Sequence, residues 1–203
     1  MIDNTKPPCN KSVAAMNFNV KISIKKLTDK TLFQRACEMT THGKKVRMPL
    51  SKIYQSEHSP CRTQEFWIEM SDIPTFVSVH LVRHKIGVEH FVTSNRSERG
   101  GSAVGVGRLT PVNHAMKINA QALINICRRR LCYKAAITTV AVMMRIKREM
   151  EKIDPELAPF LVPECVYRNG LCPEMSECKP GLVRVMRSYS DYRKMFKNGI
   201  KGN

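Results

Sequence analysis

Between Arg83 and Arg99 the chain carries Arg83-His84-Lys85 and, about ten residues later, Ser94-Asn95-Arg96-Ser97-Glu98-Arg99. Consecutive cationic and titratable side chains followed by hydroxyls and guanidiniums do not build a core. They suit an anion and a polar ring, because a guanidinium offers a planar bidentate fork and a serine hydroxyl adds a short donor. Taken alone, the triplet equally suits a solvated helix end, where cations complement the dipole. Ser97 and Arg99 alone equally suit an ordinary loop. A second basic set, Arg128-Arg129-Arg130, places its side chains about 100° apart on a helix, so they do not all face one ligand. Two solvated arginines and one pointing inward are expected there. Cys165, Cys172 and Cys178 share a glycine- and proline-containing segment. Their spacing lacks the short Cys-to-Cys step of a zinc knuckle, so reduced thiols and no metal are expected. His90 and His114 read as structural histidines.

The full chain has 203 residues, with 34 Lys plus Arg against 17 Asp plus Glu, a net charge of +17. That length fits one domain with a sizeable core. A positive field of this size favours nucleotides, polyanions or an anionic surface, and says nothing about fold. No apolar run reaches the roughly 18 residues of a membrane span, and the N-terminus lacks a signal-peptide core. The expected location is the cytoplasm of a bacterial cell or of a virus-infected host cell. There the eight cysteines stay reduced.

The elements that must position these residues show in the hydrophobic periodicity. Residues 1–16 read as a flexible tail. Val20, Ile22 and Ile24 alternate with polar residues, a half-buried strand; Thr28 or Asp29 then caps a helix whose Leu32, Phe33, Ala36 and Cys37 share a face. A basic, turn-rich segment follows, with one helical turn around Lys52–Tyr54. Phe66, Ile68 and Met70 form a second strand with Trp67 on its other face. Ser71 or Asp72 can cap a helix with Pro74 in its first turn, carrying Phe76, Val77 and Leu81 inward and delivering Arg83 and His84 near its end. A strand is the rival reading of that valine-rich run. Gly100–Gly107 is a loop or tight turn. Thr110-Pro111 opens the longest helical pattern, Met116, Ala120, Leu123, Ile124, Cys127 and Leu131, continuing to Asp154-Pro155 as one helix or as two joined near Tyr133. Residues 17–178 are expected to form a single domain. Residues 179–203 form a basic tail, read as a helix packing Tyr192, Met195 and Phe196 inward or as a nucleic-acid contact.

The Ile73–Arg99 stretch resembles the signature region of the flavin-dependent thymidylate synthase (ThyX) family. Arg83-His84-Lys85 stands in the family's Arg-His-Arg triplet, and Ser97-Glu98-Arg99 matches its Ser-x-Arg. Pro74 leads in at the matching distance. Ser59-Pro60 resembles the family's hydroxyl-Pro pair, and Arg130 the helix arginine that grips the base. The pieces run in family order over about residues 20–178.

The resemblance implies an α+β fold, a small mostly antiparallel sheet packed with long helices, assembling as a homotetramer. It implies transfer and reduction of a one-carbon unit from methylenetetrahydrofolate to C5 of dUMP, with FAD as cofactor and NADPH as reductant. By position, Ser59, Arg83, His84 and Lys85 would bind FAD. His80, Ser97, Arg99, Gln121, Asn125 and Arg130 would hold the nucleotide, Arg130 as the catalytic residue. Asn125 and Gln121, one and two turns back on the helix, would share its cavity. The expected partners are a pyrimidine nucleotide, folate and further copies of the chain. Lys85 replaces the last Arg of the triplet, the spacer to Ser97 is longer, and Gly100 stands in place of Tyr. His80 replaces a Gln, Arg62-Thr63 a Glu-His pair, and Ala136 another Gln. These departures keep an alternative open, a non-catalytic or repurposed nucleotide-binding protein on the same fold. Charge and tail alone support a third, a basic nucleic-acid-binding protein.

Overall fold

The structure, a computed structural model, describes residues 19–45, 48–102, 104–168 and 171–176. The expected tails at 1–16 and 179–203 lie outside them. Among the described residues, four strands form one antiparallel sheet: β1 (Lys21–Lys26), β2 (Glu65–Pro74), β3 (Val88–Val92) and β4 (Pro111–Asn119), in the order β1-β2-β4-β3. The helices are α1 (Lys30–Thr40), α2 (Leu50–Ser56), α3 (Thr75–Leu81), α4 (Ala120–Arg130), α5 (Ile137–Ile153) and α6 (Glu164–Tyr167). None is long and apolar enough to cross a membrane.

Alternation decides the sheet. Phe66, Ile68 and Met70 of β2 pair across to Ile118, Met116 and His114 of β4, so both strands turn the same residues to the core. Leu123 and Ile126 of α4, and Met143, Ile146 and Met150 of α5, are buried with them. Ile22 and Ile24 of β1 pack against this core from the edge. On the other face Trp67 and Phe91 meet at 5.2 Å between ring centres.

The capped first helix appears as read: the Asp29 carboxylate accepts from the Thr31 and Leu32 amides, and Phe33 and Cys37 are buried. Leu32 turns outward instead. The Pro74-led run is helix, not strand, once β2 has ended at Pro74 itself. Two expectations are corrected. Residues 111–119 form β4 rather than the start of a helix, because Val112, His114, Met116 and Ile118 alternate inward; the helix begins only after Asn119, whose side chain accepts from the Ala122 amide. The long pattern then breaks into α4 and α5 near Tyr133. The second is β3, a strand the hydrophobic alternation does not announce.

One buried carboxylate ties the far side together. Asp154, only 3% exposed, accepts from Lys26 Nζ at 2.7 Å, Tyr54 OH at 3.0 Å and the Leu157 amide at 3.0 Å. Burial and the Asp154 charge hold the Tyr54 phenol firmly protonated.

Candidate functional site

α3 ends at Leu81, and the next turn is closed by the His84 amide donating to the Leu81 carbonyl at 3.0 Å. This leaves Arg83 and Lys85 exposed and His84 half-buried. The return into β3 needs Gly87, at φ +73°: a Cβ there would meet Asn119 Nδ2 at 2.5 Å. Gly87 also accepts from the Asn119 amide at 3.0 Å, so the turn after the triplet is latched to the start of α4.

The last residue of α4 completes the cluster. Arg130 Nε donates to His84 Nε2 at 3.0 Å, and its Nη2 donates to the His80 carbonyl at 3.0 Å. Because His84 Nε2 accepts, its proton sits on Nδ1. His80 Nδ1 lies 3.0 Å from the buried Thr139 hydroxyl of α5. From β3, His90 Nε2 faces the His84 carbonyl at 2.7 Å and must carry a proton. His90 Nδ1 is then the acceptor for His114 Nε2 at 2.9 Å, which leaves the buried His114 Nδ1 without a partner. The two histidines support the triplet from below.

His80, His84 and His114 are each pushed toward the neutral form. Burial, then Arg130, His90 and Arg129, push His84 down to about 4. Burial, then His90, push His114 down to about 4. His80 is lowered by burial, then by Arg130, Arg83 and Arg108. Arg130 itself is lowered by burial and by Arg83. The linkage has one sign. Above pH 6.5 the ordinary histidine is neutral folded or unfolded; below it, the unfolded chain takes protons that the fold refuses. Stability should therefore fall between pH 6.5 and pH 5, above the range where ordinary carboxylates titrate. Urea midpoints across that window test this, and a flat or rising midpoint rejects it.

Other expected residues lie elsewhere. Ser97 and Arg99 occupy an exposed turn, Ser97–Arg99, and bond to neither Arg130 nor the triplet. Ser59 is exposed on the turn Ser59–Thr63, which packs on the start of α4 through Cys61, 3.4 Å from Gln121 Oε1. Gln121 and Asn125 belong to that end too. Gln121 donates to Glu57 at 2.6 Å and to Asn125 at 3.3 Å, and Arg128 pairs with the same Glu57. They do not share a cavity with Arg130: nine positions at about 100° each put Gln121 about 180° around the helix and about 13 Å along it.

Arg128 corrects the reading of the three arginines. Its side chain is only 13% exposed, with its guanidinium 3.6 Å from the Tyr167 ring centre. Arg128 and Arg130 both turn inward, on different sides, and Arg129 alone of the three is solvated. Cys165 and Cys172 are half-buried, and Cys178 lies outside the described residues.

A four-stranded antiparallel sheet backed by paired helices, with a His-containing basic turn after α3 joined to an arginine at the end of the next long helix, is the α+β fold of ThyX type. Solved structures that share it include the following two. A UMP/dUMP methylase, PolB, from Streptomyces cacaoi, bound with 5-Br dUMP, aligns with a TM-score of 0.56 and 12% identity over 70% of this chain and 94% of that one. Thymidylate Synthase X (ThyX) from Helicobacter pylori, with FAD and dUMP, aligns with a TM-score of 0.57 and 12% identity over 72% of this chain and 98% of that one. At this identity the likeness establishes fold alone. No family model and no curated protein sequence matches the chain.

Proposed function

We propose that this chain is a pyrimidine-nucleotide methyltransferase of the flavin-dependent thymidylate synthase type, acting on dUMP with methylenetetrahydrofolate, FAD and NADPH. The observation that carries the reading is the junction of Arg130 with His84 and His80, set in a fold shared with two structures that hold dUMP or its bromo analogue. The junction uses two of the five guanidinium N–H groups, leaving three for a base or phosphate. His84 stays neutral and holds the arginine by its Nε2 lone pair, so the cation is oriented but not neutralised.

The residues beside it fit an anionic cofactor. Arg83 and Lys85 are exposed and form no ion pair among the described residues, a donor set suited to dinucleotide phosphates. When bound, reduced FAD supplies the hydride; the protein's part is orientation and charge. Ser59 sits at the opposite end of α4 from this cluster. That separation supports a site shared between copies of the chain, and a homotetramer is the assembly we propose.

Purified protein should be yellow, bleach with NADPH and recover its colour when methylenetetrahydrofolate and dUMP are added together. The exposed Ser97–Arg99 turn, which bonds to neither Arg130 nor the triplet, favours a second reading: a nucleotide-binding protein without turnover. Colourless protein that gains no flavin from added FAD yet binds dUMP calorimetrically selects that reading. Absence of dUMP binding overturns both.

A further inference from the structure

We propose that Arg108, on the loop entering β4, is a phosphate-binding residue of this site and makes it select a nucleoside 5′-monophosphate over the nucleoside. The inference rests on the nucleotide reading above and assigns a residue that the sequence motifs do not reach.

The loop is exposed but its backbone is fixed against the first turn of α3. The Phe76 amide donates to the Arg108 carbonyl at 3.1 Å. The Thr75 amide and hydroxyl donate to the Thr110 carbonyl at 2.9 and 2.8 Å, and the Gly107 amide donates to the Thr110 hydroxyl at 2.8 Å. Arg108 is thereby aimed along α3 toward the site. Its guanidinium carbon lies 5.7 Å from the centre of the Phe76 ring. Phe76 in turn meets the His80 ring edge-on, at 5.6 Å between centres, and the His80 carbonyl is the one that Arg130 grips. Phe76 and His80 thus bridge Arg108 to Arg130, while Arg83 bears on His80 as well.

The pairing pattern identifies the ligand's charge. Arg35, Arg96, Arg128, Arg129 and Arg168 each have a carboxylate partner. Arg83, Arg108 and Arg130 have none among the described residues; Arg62, Arg99, Arg145 and Arg148 also lack one, but only the first three bear on one histidine, His80. Three guanidiniums around one histidine without a counterion repel one another, and a bound dianion relieves that repulsion. Contact with an aromatic ring leaves the edge N–H groups of Arg108 available for phosphate oxygens. The uracil ring carries no such charge, so the contribution of Arg108 belongs to the phosphate.

Calorimetric titration of the full chain and of Arg108→Ala with dUMP and with deoxyuridine tests the assignment. The variant should bind dUMP about tenfold or more weakly and deoxyuridine as the wild type does, and Arg108→Lys should fall between. Arg108→Gln keeps the stem over Phe76 and should behave as the alanine variant does, separating charge from loop packing. Inorganic phosphate gives an independent readout: it should raise the wild-type melting temperature and raise that of Arg108→Ala less. Wild-type dUMP affinity in Arg108→Ala, or equal losses for dUMP and deoxyuridine, overturns the proposal. If wild-type protein responds to phosphate but not to dUMP, and the variant loses that response, the nucleotide reading fails while the anion role of Arg108 stands.

Discussion

Arg130→Ala loses dUMP affinity by about a hundredfold and, with it, any turnover, while the folded chain keeps nearly all its stability. The first half follows from what the guanidinium alone supplies. It is the one cation in the cluster bonded to both His84 and His80, and it brings three further N–H groups to the same place. Charged hydrogen bonds of this kind contribute about 1.5–3 kcal/mol each, so losing one or two gives the stated factor. The second half follows from what is left behind. His84 Nε2 and the His80 carbonyl are part-buried, so water can replace the arginine at a cost of about 1 kcal/mol. Arg130→Lys keeps the charge but lacks the fork, and should recover only part of the affinity. Calorimetry with dUMP beside a thermal melt measures both halves. Wild-type affinity in the alanine variant rejects the role of Arg130, and a collapsed melt would assign it to the core instead.

The sequence carried this site unevenly, for reasons visible in particular residues. The triplet and Arg130 were legible because their types and order are unusual. β1, β2 and α1 were legible because their inward positions are apolar almost throughout, Lys26 at the end of β1 excepted. β3 was not: its inward residues are Val88 and His90, Val92 at its end is exposed, and its outward residues are Glu89 and Phe91, so a histidine faces in and an aromatic faces out. β4 hid for a related reason. His114 breaks the apolar alternation, while Met116 and Ala120 happen to continue the helical spacing of Leu123 and Cys127. The placement of Gln121 and Asn125 was within reach of helix arithmetic alone. That of Arg128 was not, because it depends on Glu57, 71 residues away, and on Tyr167. Local pattern specifies elements; partners distant in sequence decide which polar side chain turns inward.

Asp154 shows the same limit with the larger consequence for stability. Beside Pro155 it reads as a helix terminator, which it is, since α5 ends at Ile153. Its carboxylate also holds Lys26, the last residue of β1, and Tyr54 of α2, residues 128 and 100 positions away. Asp154→Ala leaves the Tyr54 hydroxyl buried without an acceptor and strips a half-sheltered ammonium of its partner. Breaking such a pair from one side costs about 3–5 kcal/mol, because the remaining group has already given up water. For a chain of this size that is a fall of roughly 6–20 °C in melting temperature. Asp154→Asn keeps one acceptor oxygen, enough for the Tyr54 and Lys26 side or for the Leu157 amide but not for both, and it loses the charge for Lys26, which at 24% exposure can draw partly on water instead. It should lose about half as much. Tyr54→Phe removes one hydrogen bond and little volume, for about 1 kcal/mol. Wild type, Tyr54→Phe, Asp154→Asn and Asp154→Ala should therefore unfold in descending order of urea midpoint. Midpoints that coincide for the last three would show that the carboxylate is replaced by water, and that β1 and α2 are held by their apolar faces alone.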